Sequence, residues 1–378
     1  AEWIVDGHPE WDMWRLDVRR FGSQYGSQQF TLARTVETYA QYYDIHYPAE
    51  ERQSARPLRL SPAYERLKAL GAVWGEKGGW ERPNWFESNA GAHGDRAHGD
   101  APAAHRHEPK GWGQHHWSPA IGVEHLATRE RAGLFDETSF SKIEVLGPGA
   151  AAFLQRLCAN DVDKPVGSVI YTQMLNQRGG IECDFTVSRL AADRFMIVTG
   201  TAFGTHDITW LRLNAPTDGS VYINDITAAR TCFGLGGPRA RDILQTVTKN
   251  DVSNAAFPYM TAREITIGNV PALALRVTYV GELGWEFYAP TEYGAGLWDT
   301  LWQAGSKFGM IAAGYKAIES LRLEKGYRYW SADITPDYTP FEAGLGFAVA
   351  LEKGVDFVGR AALLRQKAEG IRQKLCCL

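Results

Sequence analysis

The sequence predicts an α+β fold built from mixed, largely antiparallel sheets with helices. Three observations carry this. Alternating apolar and polar runs, as at residues 169–175 and 181–189, are joined by a glycine-containing turn of the hairpin kind. Two strand-to-helix units share a Gly-Pro-x-Ala turn, at Gly147-Pro148-Gly149-Ala150 and Gly237-Pro238-Arg239-Ala240. Helical patterns are interspersed with the strands, and residues 293–308 put Leu297, Trp298, Leu301 and Trp302 on one apolar face.

Residues 1–46 do not read as the start of a domain. Residues 1–7 look like a helix end entering a turn, and residues 29–43 read as a helix whose aromatic residues need a partner. Ser61-Pro62 can cap a short helix over 63–70. Residues 75–86 read as irregular, anchored by Trp80, Trp85 and Phe86. Residues 88–111 are small, polar and rich in Gly, Pro and Ala, so a mobile loop is expected there. His93, His98, His105 and His107 fall in it, but flexible spacing without Cys or paired carboxylates is a poor metal site.

Organised sequence begins near 116. A helix over 123–132 precedes a strand at 143–146, and Gly-Pro then opens a helix carrying Phe153, Leu154 and Leu157. Strands follow at 169–175, 181–189 and 195–199. The strand at 231–235 enters a helix carrying Ile243, Leu244 and Val247. This second unit repeats the first about 90 residues later, as a diverged duplication would. Strands at 262–267, 272–280 and 285–289, then helices at 293–308 and 315–325, complete the pattern.

Composition excludes several function classes. The chain has 378 residues, is 44% hydrophobic and 22% charged, and carries a formal net charge of -4. These values fit a globular protein of two or three domains and lack the basic excess of a nucleic-acid binder. The longest apolar runs are too short for a membrane span. Five cysteines in an odd, dispersed set fit reduced thiols, hence a cytoplasmic setting, or a mitochondrial matrix in a eukaryote. Thirteen tryptophans, many in the first third, point to large-area packing. Gly234-Leu235-Gly236-Gly237-Pro238-Arg239 has Arg where the third glycine of a dinucleotide loop belongs, so it reads as a helix-entry turn.

Three segments combine polar groups with apolar strands. A turn at 176–180 would return Asp184 close to Tyr171. Asp is disfavoured in strands, so Asp184 has two readings, a carboxylate satisfying strand-edge amides or a catalytic group. Glu286 lies between Trp285 and Phe287 and faces away from both. It is either solvated on an open sheet face or able to accept two N–H bonds from a planar amino-heterocycle. Near the last helix, Arg322 and Glu324 suggest an internal ion pair.

At this point the sequence resembles the aminomethyltransferase (glycine-cleavage T-protein) family. The resemblance rests on Gly133-Leu134-Phe135-Asp136, Leu146-Gly147-Pro148, Asn160-Asp161, Ile170-Tyr171 and Gly179-Gly180-Ile181. It continues through Tyr279-Val280-Gly281-Glu282-x-Gly284-Trp285-Glu286, Leu321-Arg322-Leu323-Glu324-Lys325-Gly326-Tyr327 and Phe357-Val358-Gly359-Arg360. Gly79-Trp80-Glu81-Arg82-Pro83-Asn84-Trp85-Phe86 narrows it, being similar to the linker of the sarcosine and dimethylglycine dehydrogenases.

The resemblance implies the T-protein folate-binding fold over 116–378, lacking most of the family's C-terminal β-barrel. It implies a linker region over 47–115, and the tail of an upstream FAD-dependent oxidoreductase domain over 1–46. It also implies the tetrahydrofolate half of an N-methyl amine dehydrogenase, which captures an iminium or formaldehyde as 5,10-methylenetetrahydrofolate. FAD would belong to the upstream domain, not to this chain, and no nucleic acid or membrane partner is expected. The resemblance implies that Asp184 is the catalytic aspartate, that Tyr171 and Tyr279 line the pterin pocket, and that Glu286 grips the pterin edge. Arg276 is a candidate partner of Glu286, and Lys316 stands where relatives often carry arginine. The alternatives are a stand-alone folate-dependent aminomethyltransferase or demethylase, and a non-catalytic folate-fold binding protein.

Overall fold

A computed structural model describes residues 4–5, 7, 12–45, 50–93 and 116–376. The chain divides into two compact units. The first comprises Ala1–Ser23, Phe140–Thr227 and Arg328–Leu378; the second comprises Gln24–Ser139 and Ala228–Tyr327. Both are discontinuous in sequence.

The first unit is organised by a five-stranded antiparallel sheet in the order β5-β6-β7-β4-β8. The strands are β4 (Ser141–Leu146), β5 (Val169–Leu175), β6 (Ile181–Ala191), β7 (Arg194–Thr199) and β8 (Tyr222–Asp225). Alternation directs Ile143, Val145, Cys183, Phe185, Val187 and Ile197 into one core. Helices α4 (Ala150–Leu157) and α5 (Gly204–Asn214) cover it with Phe153, Leu154, Leu157, Ile208 and Leu211. Glu182 and Asp184 therefore point to the opposite face of β6. A later helix, α9 (Arg360–Glu369), packs Leu363 beside Leu175, Ile181 and Trp330.

The second unit holds a mixed six-stranded sheet in the order β10-β11-β12-β9-β3-β13. Its strands are β3 (Gly133–Asp136), β9 (Arg230–Gly236), β10 (Ala262–Ile267), β11 (Val270–Leu275), β12 (Gly284–Pro290) and β13 (Ile311–Ala313). Only the β13–β3 pairing is parallel. One sheet face buries Phe233, Leu235, Trp285 and Phe287 under α6 (Ala240–Val247) and α7 (Gly294–Ser306). Trp285 is completely buried and Trp298 nearly so; truncating either costs about 3–5 kcal/mol. The other face carries Phe135 and Val280 under α8 (Tyr315–Glu324).

Residues 72–86 correct the sequence reading: they form a β-hairpin, β1 (Ala72–Lys77) and β2 (Trp80–Phe86). Its two-residue turn, Gly78-Gly79, has φ of 57° and 82°. That turn twists with the strands and is open to glycine. The register shift at Val73/Trp74 accommodates Pro83 in a two-stranded ribbon. The strand expected at 272–280 is displaced, running Val270–Leu275 and leaving 276–283 as irregular chain. Helices at Gln28–Ala40 (α1), Tyr64–Ala69 (α2) and Pro119–Glu130 (α3) follow expectation within a few residues. Ser118 caps α3, with Pro at its first turn. Residues 87–93 form a 3₁₀ turn, whereas His98, His105 and His107 lie outside the described residues, as do residues 1–3 of the expected helix end.

The two Gly-Pro units are alike in detail. In the first, Gln155 Oε1 accepts from Val162 N at 2.9 Å; in the second, Gln245 Oε1 accepts from Val252 N at 3.5 Å. The same seven-residue reach closes the chain behind α4 and behind α6, as a duplication requires.

Candidate functional site

Asp184 stands on β6 directly across from Gln173 on β5, so the hairpin register sets its partners. Gln173 Nε2 donates to Asp184 Oδ1 at 2.8 Å, and the Tyr171 side chain hydrogen-bonds the same carboxyl. Burial pushes the acid up to about 6, opposed by those two donors and reinforced by the Asp207 charge. The expected approach of Tyr171 to Asp184 is thus present, and Tyr171 stacks on the exposed ring of Phe347, with centroids 6.1 Å apart.

Around this centre lie groups that the sequence reading did not single out. His206 Nδ1 is 2.9 Å from Asp207 Oδ1, and its Nε2 is 3.8 Å from Glu182 Oε2. Burial works against the charged imidazole, but the Asp207 hydrogen bond and the Asp207 and Glu182 charges hold its pKa above the ordinary value. Trp14 packs edge-on to its ring and Trp330 lies tilted against it. Cys183, His206 and Asp207 bring one ligand atom each within 4.8 Å of one another. Burial and the neighbouring carboxylates raise the Cys183 thiol, which opposes the thiolate a metal would need. The available signal was a His-Asp pair at the start of a helix, with nothing in sequence to tie it to β6.

In the second unit, Glu286 pairs across β12–β9 with Gly234, and only 8% of it is exposed. The open-face reading is therefore replaced by a buried carboxyl. Tyr288, two residues on and on the same face, donates its hydroxyl to Glu286 Oε2 at 2.5 Å. Burial pushes Glu286 up to about 7 against that bond. Tyr279 stacks on Tyr327 at 5.9 Å and packs beside Phe135 and Leu321.

Arg276 is not brought to Glu286. Its guanidinium donates to the Phe257 carbonyl and to Asn254 Oδ1, both at 2.5 Å, and lies 5.8 Å from the Trp285 ring. Trp285 occupies the sheet face opposite Glu286, because alternate strand residues point oppositely. Lys316 sits in the first turn of α8, beside Tyr315, whose ring is covered by the Arg82 guanidinium at 4.1 Å. Glu324 is ion-paired as expected, but with Arg129 at 2.9 Å, while Arg322 takes Glu319. A groove of about 900 Å³ in the first unit, lined by Asn160, Asp161, Lys353 and Gln366, contains none of the predicted site residues.

The glycine-rich turn after β9 spends its amides internally. Gly237 N donates to Leu283 O and Arg239 N to Arg131 O. Those N–H groups cannot cradle a pyrophosphate, so this turn does not fit FAD.

The GCVT N-terminal domain model matches residues 63–353. The chain belongs to that family. A second model, the FAD dependent oxidoreductase central domain, matches residues 6–61. Mitochondrial sarcosine dehydrogenase of Mus musculus is 37% identical over 100% of this chain and 44% of that protein. The regulatory subunit of mitochondrial pyruvate dehydrogenase phosphatase of Mus musculus is 35% identical over 99% of the chain and 42% of that protein. The chain thus spans less than half the length of these relatives. The crystal structure of glycine cleavage system aminomethyltransferase T from Bartonella henselae superposes with a TM-score of 0.66 at 29% identity. It covers 83% of this chain and 76% of that one. This likeness bears out the α+β aminomethyltransferase fold expected from sequence. Among the described residues, no helix is long and apolar enough to cross a membrane.

Proposed function

We propose that this chain is the tetrahydrofolate-binding, one-carbon-transfer portion of an FAD-dependent N-methyl amine dehydrogenase of the sarcosine or dimethylglycine type. The observation that supports it most is the Asp184 centre. A strand carboxylate held by Gln173 and Tyr171, with its pKa near 6, is a general base poised close to neutral pH. When bound, tetrahydrofolate supplies the amine that takes up the carbon from iminium or formaldehyde. Asp184 orients that amine or accepts its proton at a carboxylate oxygen. Glu286 anchors the amino-pyrimidinone edge, and its buried carboxyl with a Tyr288 donor fits that role. Tyr171 and Tyr279 offer ring faces to the ligand, and Lys316 a cation. Arg276, already held by Asn254 and Phe257, has no part in this reading.

Oxidation belongs to an FAD domain upstream, a reading supported by the match of residues 6–61 to the FAD dependent oxidoreductase central domain. A second reading, a folate-fold protein without turnover, is favoured by the relative described as a regulatory subunit. Calorimetry with tetrahydrofolate separates them when paired with a transfer assay. Binding with turnover supports the enzyme, binding alone supports the second reading, and no binding removes both.

A further inference from the structure

Gly234 has a neighbour that its own strand does not provide. A Cβ placed on it would lie 2.6 Å from Glu137 Oε2, so the Glu137 carboxyl occupies the space a side chain would fill. Glu137 follows β3, whose Phe135 pairs with Gly234; on the other side Gly234 pairs with Glu286. Two carboxyls thus flank one glycine on one sheet face, and Glu137 is only 4% exposed. The groups around Glu137 are Asp136 on its own segment, Cys232 on β9 with Sγ 4.0 Å from Oε2, and Glu286 on β12. Tyr288 on β12 bonds Glu286, and Tyr315 on α8 feels the Glu137 charge, with the Arg82 guanidinium over its ring. Two ionised carboxylates in such a place repel without water to screen them.

We propose that Glu137 and Glu286 share a single proton and act together as a donor–acceptor pair for the ligand's amino-pyrimidinone edge. Glu286, as carboxylate, accepts from the amino group and the ring N–H. Glu137, as neutral acid, donates to the ring carbonyl. This rests on the folate reading above and adds a specificity residue to it: one carboxylate alone reads two donors, whereas the pair also reads the acceptor beside them. Burial and the Glu286 and Asp136 charges raise Glu137 well above the ordinary carboxyl range, in line with the neutral form.

The pair makes binding pH-dependent in a defined sense. Above the pair's upper pKa the shared proton leaves, two anions face each other, and the donor is lost. Glu137→Gln is isosteric and keeps an N–H donor that does not titrate. In the full chain it should bind tetrahydrofolate within about 3-fold of the unmodified protein at neutral pH and lose the alkaline fall in affinity. Glu137→Leu should bind about 10- to 100-fold more weakly, as expected for a lost charge-coupled hydrogen bond. A ligand-free readout separates the proton from the folate reading. Difference infrared spectroscopy at neutral pH should show a protonated carboxylic acid band that Glu137→Gln removes. Absence of that band, or a Glu137→Gln profile matching the unmodified protein in band and pH dependence, would overturn the shared proton. A band lost in Glu137→Gln in a chain that does not bind tetrahydrofolate would overturn the ligand role alone.

Discussion

The two carboxyl centres reach raised pKa values by different routes. Asp184 in the first unit is desolvated but held by two donors, Gln173 and Tyr171, and settles near 6. Glu286 in the second unit is also desolvated but has one donor, Tyr288, and it reaches about 7. Donors favour the charged form, so one donor fewer leaves more of the desolvation unopposed. The first centre is therefore mostly ionised at neutral pH, as a base must be, whereas the second is poised to keep a proton. These surroundings support the different work proposed for the two carboxyls.

Substitutions can break this contrast. Asp184→Asn should lower one-carbon transfer by about 10²- to 10⁴-fold while leaving tetrahydrofolate affinity near the unmodified value. Equal losses in turnover and binding, compared by single-turnover kinetics and calorimetry, would erase the distinction between base and anchor. Glu286→Ala should instead weaken binding by about 10- to 100-fold, since a buried charge-assisted contact is worth roughly 1.5–3 kcal/mol. Gly234→Ala should destabilise the fold by about 1–3 kcal/mol in urea unfolding, because its methyl meets the Glu137 carboxyl.

The smallest effects sharpen the comparison through pH. Transfer should fall as pH drops through about 6, where Asp184 takes a proton. Gln173→Leu removes one donor to the anion and should move that fall to higher pH. The Glu286 contribution to stability runs the other way. Its folded pKa lies above the unfolded value, so the stability it adds is fully present below about pH 4.5 and is lost as pH rises through about 7. Thermal unfolding of Glu286→Gln should show a flatter fall across that window.

Much of the fold was legible because the strands alternate cleanly. β5 and β10 run as expected, and the turn before Gly180 placed Asp184 beside Tyr171 without any tertiary information. The hairpin at 72–86 was not legible, because Pro83 and three glycines mask a pairing fixed by a bulge and a Gly-Gly turn. Glu286 was placed on the correct strand, but its burial depends on neighbours from β9 and on Glu137, far away in sequence. Arg276 reads in the sequence as a partner on the same strand as Glu286, whereas it stands just after β11, the strand that pairs with β12. It points the other way because it packs on the Trp285 face. His206 and Asp207 were silent for a related reason: a helix delivers them to β6, and sequence spacing carries no record of that.

The proposed base and anchor should be separable. The most direct test is calorimetric titration of the full chain and its Asp184→Asn variant with tetrahydrofolate, alongside one-carbon transfer measured above the uncatalysed rate. Both proteins should bind with affinities within about 3-fold, a difference of less than 1 kcal/mol, and only the unmodified chain should accelerate transfer. Loss of binding in Asp184→Asn, or transfer undiminished without this carboxylate, would contradict that separation.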